Sequence, residues 1–111
     1  MSSVTVHYGK LVRDEIPAII ESNGDVPTIR ILDDGEYTEA LYAKLHEETT
    51  ELANAPESEQ LSELADILEV FLSTADVLGF SQGDVEKVML DKRAKRGGFT
   101  KRIWLEKTDN K

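Results

Sequence analysis

The chain contains no cysteine among its 111 residues. This absence excludes a disulfide framework, a zinc–thiolate site and a thiol nucleophile. No apolar run approaches the length needed to span a membrane, and residues 1–6 lack the basic and apolar regions of a secretion signal. These absences predict a soluble, cytoplasmic protein.

Basic residues are also scarce. The chain has 13 lysines and arginines against 22 acids, a formal net charge of −9. Such a charge repels phosphate backbones and anionic headgroups, so we expect neither a nucleic acid polymer nor a membrane as partner. A small phosphate-bearing ligand differs, because a bound cation can reverse the sign locally. The length predicts a single domain, residues 1–111, whose small size favours oligomerisation.

Periodicity and capping signals predict an all-α fold with a minor β element. The helix starts are marked by Pro17 in a first turn, by Asp33 as an N-cap, and by Ser81 with Asp84 as a capping box. The predicted helices cover residues 14–24, 33–53, 58–78 and 81–95, and alternation predicts strands over residues 28–32 and 99–107.

The predicted helix over residues 58–78 is apolar around nearly its whole circumference. Its broader apolar face comprises Leu61, Leu64, Ala65, Leu68, Phe71, Leu72 and Ala75, and its opposite face carries Glu63, Asp66, Val70 and Val77. A helix of this kind must be packed between two layers. Three other helices, one of them short, scarcely enclose it, so we expect a symmetric homodimer to cover part of it.

Acidic residues one helical turn apart occur on both central helices: Glu48 with Glu51, and Glu63 with Asp66. At about 100° per residue, Glu48 falls within an apolar stripe, where a carboxylate costs free energy unless it is compensated. That stripe comprises Leu41, Leu45 and Leu52. Carboxylates from two neighbouring helices suit a hard cation such as Mg2+, with Mn2+ as a substitute. The alternative is an ordinary solvated acidic surface.

Basic residues accompany the acids at both ends of the chain. Lys92 and Arg96 extend a predicted buried stripe of the last helix, which comprises Val85, Val88 and Met89. They either hold phosphate oxygens of a ligand, or pair with the acids and favour the helix dipole. Lys10 and Arg13 either reach a phosphate tail or belong to a solvated loop.

The order of these motifs resembles the all-α nucleotide pyrophosphohydrolases of the MazG superfamily. The resemblance rests on Glu-Glu-x-x-Glu at residues 47–51 followed by Glu-x-x-Asp at residues 63–66. It extends over blocks at residues 8–17, 32–34, 63–70 and 96–99. Together these blocks look like the single-domain branch related to phosphoribosyl-ATP pyrophosphatase.

The resemblance implies a MazG-like helical bundle completed by homodimerisation, or assembled as a homotetramer. It also implies Mg2+-dependent hydrolysis of a nucleoside triphosphate to monophosphate and pyrophosphate, with a house-cleaning role against noncanonical nucleotides. The metal-binding acids of the family match Glu48, Glu51, Glu63 and Asp66. Glu47 matches a less consistent ligand. The phosphate-contacting region matches Lys92 and Arg96. Where several relatives carry an asparagine, this chain has Asp91, which bears on substrate choice.

The expected reaction is metal-assisted cleavage of the α–β phosphoanhydride bond. Glu47 or Glu51 would orient or deprotonate the attacking water, and Lys92 and Arg96 would offset charge on the leaving pyrophosphate. Two alternatives stay open. One is a phosphoribosyl-ATP pyrophosphohydrolase of histidine biosynthesis. The other is a non-catalytic, dimeric helical module that binds a nucleotide or a cation.

Overall fold

The computed structural model describes residues 4–110, and over that range the chain is helical without a β-strand. Its helices are α1 (Ile16–Ser22), α2 (Asp34–Asn54), α3 (Gln60–Val77) and α4 (Gln82–Arg96), with a 3-10 turn at Glu57–Glu59 before α3. The predicted all-α class is therefore confirmed. The outer limits of the predicted domain, residues 1 and 111, lie outside the described range.

Within residues 4–110, none of the helices combines the length and the apolarity that a membrane crossing requires.

The start of α2 is fixed by its own side chains. The Asp33 carboxylate accepts a hydrogen bond from the Glu36 N–H at 2.8 Å, and the Glu36 carboxylate accepts one from the Asp33 N–H at 3.3 Å. Arg30 donates two further bonds to Glu36, at 3.0 and 2.7 Å. The Arg30 bonds, together with the backbone bond, lower the pKa of Glu36 to about 2. This reciprocal capping explains why α2 begins where the sequence predicts.

The start of α4 uses the same device. Ser81 Oγ accepts from the Asp84 N–H at 3.0 Å, and the Asp84 carboxylate accepts from the Ser81 N–H at 2.9 Å. The helix ends at Gly97, whose φ of +79° lies in the left-handed region that favours glycine. The predicted limits of α4 therefore agree with the observed ones to within a residue.

Both predicted strands are wrong. Residues 28–32 are irregular, with Ile29 60% and Ile31 88% exposed. In residues 99–107 a turn replaces the strand, because the Arg102 N–H donates to the Phe99 carbonyl at 3.0 Å and Arg102 has a φ of +59°. An isolated pair of short strands is marginally stable in water, so alternation alone does not produce them.

The chain forms two compact units, one ending at Gly79 and the other starting at Phe80. In the first unit α2 packs against α3. The two helices are antiparallel, because Glu48 lies beside Glu63 and Asp66 whereas Leu41 shares a cavity with Val70. The buried apolar residues among those described are Leu41, Val70 and Ala75.

The face of α3 that meets α2 is the narrower one, which carries Glu63, Asp66 and the buried Val70. Much of the broader apolar face is open to solvent in the single chain: Leu61 is 80% exposed, Leu64 51%, Leu68 54% and Phe71 38%. Glu63 and Asp66 are half-buried because they lie on the face that meets α2.

In the second unit, α4 contains no buried residue. Val88 is 53% exposed and Met89 46%, so the predicted buried stripe of this helix is wrong for the single chain. Lys92 and Arg96 are likewise exposed. The expectation failed because α4 has few apolar residues beyond that stripe, and hydrophobic spacing does not say whether a covering layer exists.

Candidate metal centre

Glu48 is buried in the interface between α2 and α3, with 5% of its surface exposed. Its Oε1 lies 3.3 Å from Lys44 Nζ, whereas its buried Oε2 has no hydrogen-bond partner among the described residues. Burial raises the pKa of Glu48; the Lys44 bond opposes this effect and Glu51 reinforces it. The position that helical spacing assigns to Glu48 is therefore occupied by a buried carboxylate that is incompletely compensated.

Two sets of acids share Glu48, and together they contain the four predicted metal ligands and Glu47. One set joins Glu48 to Glu63 and Asp66 of α3, and the other joins Glu47, Glu48 and Glu51 on α2. In each set the carboxylate oxygens lie within 4.8 Å of one another. Glu51 is exposed, so the second set opens to solvent.

Glu63, like Glu48, has a buried carboxylate oxygen, Oε2, without a hydrogen-bond partner among the described residues. Each unpaired buried acceptor costs about 1–3 kcal/mol. Oxygens of Glu48, Glu63 and Asp66 lie within 4.8 Å of one another, so a divalent cation between α2 and α3 would give these carboxylates a partner, and the residues present fit such an ion.

Basic side chains from the N-terminal segment form ion pairs with acids of the cluster. Lys10 Nζ is 3.3 Å from Glu47 Oε1, and Arg13 Nη2 is 2.7 Å from Asp66 Oδ1. The hydrogen bond to Asp66 raises the pKa of Arg13. Lys10 and Arg13 were predicted to hold phosphate; in the structure they are beside the candidate ligands, with 42% and 57% of their side chains exposed.

Sequence reasoning missed Lys44. Its ammonium group lies 3.3 Å from both Glu47 Oε2 and Glu48 Oε1, and its side chain is 15% exposed. Burial opposes the charge on Lys44, but the bonds to Glu48 and Glu47 outweigh it and raise its pKa. The signal was present in the sequence, because Lys44 precedes the two acids by three and four residues, the helical spacing of an ion pair.

At Glu47, two lysines oppose the effect of burial on the pKa. Burial acts to raise the pKa of Glu47, but Lys44 and Lys10 outweigh burial and lower it. Glu47 therefore stays ionised more readily than its buried neighbour Glu48, whose pKa is raised. Opposite shifts in neighbouring acids occur at sites that handle protons and also in structural ion-pair networks.

An open cavity of about 500 Å³ adjoins the acids in the first unit. Its lining comes from residues 11–16, from α1, and from α2 and α3, and includes Arg13, Lys44, Glu48, Asp66 and Glu69. Glu69, one turn beyond Asp66, was not predicted as a site residue. A smaller cavity of about 250 Å³ is lined by Lys10, Lys44 and Glu47, among others. Both cavities thus place basic and acidic side chains side by side.

Lys92 and Arg96 belong to the second unit. Both are exposed, and neither forms an ion pair within residues 4–110. Their contact with phosphate stays a prediction.

No family model matches the chain, and no solved structure matches it significantly. An uncharacterized protein of Mycolicibacterium smegmatis (strain ATCC 700084 / mc(2)155) is 54% identical over 46 residues. The matched stretch covers 41% of this chain and 47% of that relative. Because it covers less than half of either protein, the similarity assigns neither a family nor an activity to the chain.

Proposed function

We propose that the chain is a MazG-like, divalent-cation-dependent nucleotide pyrophosphohydrolase that cleaves a noncanonical nucleoside triphosphate to its monophosphate and pyrophosphate. The observation that carries the proposal is the pair of buried, unpartnered oxygens, one on Glu48 and one on Glu63. They occur where acids from α2 and α3 approach within 4.8 Å.

The charges of the cluster favour a cation site over a closed salt-bridge network. Three basic side chains pair with Glu47, Glu48 and Asp66, and within the described residues Glu51 and Glu63 have no ion-pair partner. The excess of two carboxylates equals the charge of one divalent cation. Because every donor is a carboxylate oxygen, the site suits Mg2+ or Mn2+ better than Zn2+.

Glu48, Glu51, Glu63 and Asp66 would hold the cation. When bound, the cation supplies polarisation of phosphate oxygens and a water of lowered pKa. Of the α2 acids in the cluster, Glu47 and Glu51 are more accessible than Glu48, so either could orient that water or accept its proton.

The basic residues then neutralise the substrate. Lys10 and Arg13 lie at the cavity edge with much of their length exposed, and from there they can contact phosphate oxygens. By the resemblance described above, Lys92 and Arg96 would offset charge on the leaving pyrophosphate.

The proposed enzyme acts as a homodimer or homotetramer. The three buried apolar residues among those described form too small a core for a unit of nearly eighty residues. One face of α3 remains exposed, with Leu61, Leu64, Leu68 and Phe71. A second copy that covers this face supplies the missing burial.

A non-catalytic cation- or nucleotide-binding module is the second candidate. It is favoured by the pairing of Lys44 with Glu48 and of Arg13 with Asp66, since paired acids are less free to act on a substrate. Turnover separates the two candidates.

The test measures pyrophosphate and orthophosphate separately, for standard and noncanonical triphosphates and for phosphoribosyl-ATP, with Mg2+ or with EDTA. We expect Mg2+-dependent pyrophosphate release that Glu63→Gln abolishes. The matched control is Glu39→Gln, the same change at an exposed site on α2, which should retain activity. Absence of turnover on every substrate would favour the binding module, and γ-phosphate release would contradict the proposed bond cleavage.

A further inference from the structure

The half-buried ammonium group of Lys44 has no role in the reaction described above. Among the described residues it is the basic group closest to Glu48, at 3.3 Å from Oε1, and it lies at the same distance from Glu47 Oε2. Its side chain is 15% exposed and that of Glu48 is 7% exposed, so water screens their interaction little.

Any cation that coordinates Glu48 must either share that carboxylate with Lys44 or displace the ammonium group from it. The two oxygens of one carboxylate are about 2 Å apart, and Mg2+ binds oxygen at about 2.1 Å. An ion on the free Oε2 would therefore lie only a few ångströms from the ammonium group on Oε1. Like charges at that separation, inside a poorly hydrated interface, repel strongly.

We propose that Lys44 competes with the divalent cation for Glu48. The ammonium group pairs with Glu48 when no metal is bound, and its charge weakens metal binding. The proposal rests on the proposed function, in that it requires these acids to bind a cation. When the cation binds, Lys44 yields Glu48. Lys44 lines both cavities, so the released ammonium group can move toward an anionic ligand there.

Exchange of this kind couples two binding events. A phosphate that pairs with the Lys44 ammonium group draws it away from Glu48 and so strengthens cation binding. By linkage, the cation strengthens phosphate binding by the same factor. The affinity for metal alone would then be kept low, and nucleotide and metal would bind preferentially together.

The test measures the binding of Mg2+ or Mn2+ alone by calorimetry, at about pH 8, well above the usual pKa of a carboxyl group. Lys44→Gln removes the competing charge, and we expect it to tighten metal binding about five- to a hundredfold. Lys44→Arg keeps the charge and can grip a carboxylate through two bonds, so it should weaken metal binding. The control is Lys87→Gln on α4, which is exposed and should leave the dissociation constant unchanged.

Opposite effects of the two Lys44 variants support competition. If wild type binds metal and Lys44→Gln binds it equally or more weakly, competition is refuted while the metal site stands. If neither wild type nor Lys44→Gln binds metal, the proposed function fails as well. If Lys44→Gln does not fold, Lys44→Arg still decides, because unchanged or tighter metal binding by that variant refutes the proposal.

Discussion

Glu63→Gln tests the candidate metal centre without assuming any substrate. The change keeps the size of the side chain and removes one negative charge from a half-buried acid whose Oε2 has no partner among the described residues. It therefore separates the cost of crowding acids from the benefit of binding a cation.

The magnitude follows from the distance between the acids. Two full charges at 4.8 Å, the upper limit on the separation of the ligand oxygens, repel by about 1 kcal/mol in water and by about 3.5 kcal/mol at an effective dielectric constant of about 20. The amide that replaces the Glu63 carboxylate can also donate to Glu48, whose Oε2 lacks a donor. We therefore expect the metal-free variant to gain about 1–2 kcal/mol, a rise of roughly 4–8 °C in melting temperature.

The response to Mg2+ should change in the opposite direction. At a concentration of about 100 times its Kd, the cation stabilises wild type by about 2.7 kcal/mol, roughly 10 °C. Glu63→Gln should lose most of this gain because it lacks one of the ligands.

The assay is thermal denaturation of wild type and Glu63→Gln, each with EDTA and with millimolar Mg2+. The control is Glu39→Gln, at an exposed position on α2. Its stability should stay within about 0.5 kcal/mol of wild type in both conditions. A wild type that does not respond to Mg2+, together with a Glu63→Gln variant that melts far lower in EDTA, would refute the metal centre and indicate a structural ion-pair cluster.

Three further predictions concern other parts of the chain. Arg96→Ala should lower turnover roughly ten- to a hundredfold, since a lost charge-assisted contact costs about 1.5–3 kcal/mol, while the melting temperature stays near that of wild type; the reverse pattern would make Arg96 structural. Glu36 has a folded-state pKa of about 2 against an ordinary 4.5, so its stabilising effect is complete above pH 4.5 and is lost as the pH falls toward 2; Glu36→Gln should flatten that part of the acid denaturation curve. For the proposed homodimer, Leu64→Asp, on the exposed face of α3, should shift sedimentation from dimer to monomer, whereas Ile31→Asp, at an exposed loop position, should not; a wild type that sediments as a monomer would contradict the proposed assembly.

Local signals predicted the helices well. Asp33 with Glu36, and Ser81 with Asp84, form reciprocal caps that depend on residues three apart, and such information lies entirely within a short stretch of sequence. The strand at residues 28–32 failed for the complementary reason. Alternation describes which residues could face a sheet, but strand formation also needs a partner that the stretch itself does not specify.

The candidate site was predictable to the extent that it depends on helical spacing. Spacing placed Glu48 among leucines, and the structure buries it. The same spacing indicates the pairing of Lys44 with Glu48, which are four residues apart on α2. The contact of Arg13 with Asp66 joins residues 53 apart in sequence, and no periodicity relates them. Such contacts follow from packing and are not encoded locally.

The two ion pairs of the N-terminal segment determine how that segment responds to salt. Lys10 binds Glu47 on α2 and Arg13 binds Asp66 on α3, through side chains that are 42% and 57% exposed. Residues 11–16 line the larger cavity, and α1 contains no buried residue. Because exposed ion pairs weaken as counterions accumulate, added salt should loosen this wall of the cavity while the capped helix α2 remains intact. Proteolysis within residues 10–22 would therefore accelerate with ionic strength, and ligand access would depend on the electrolyte as well as on the shape of the cavity.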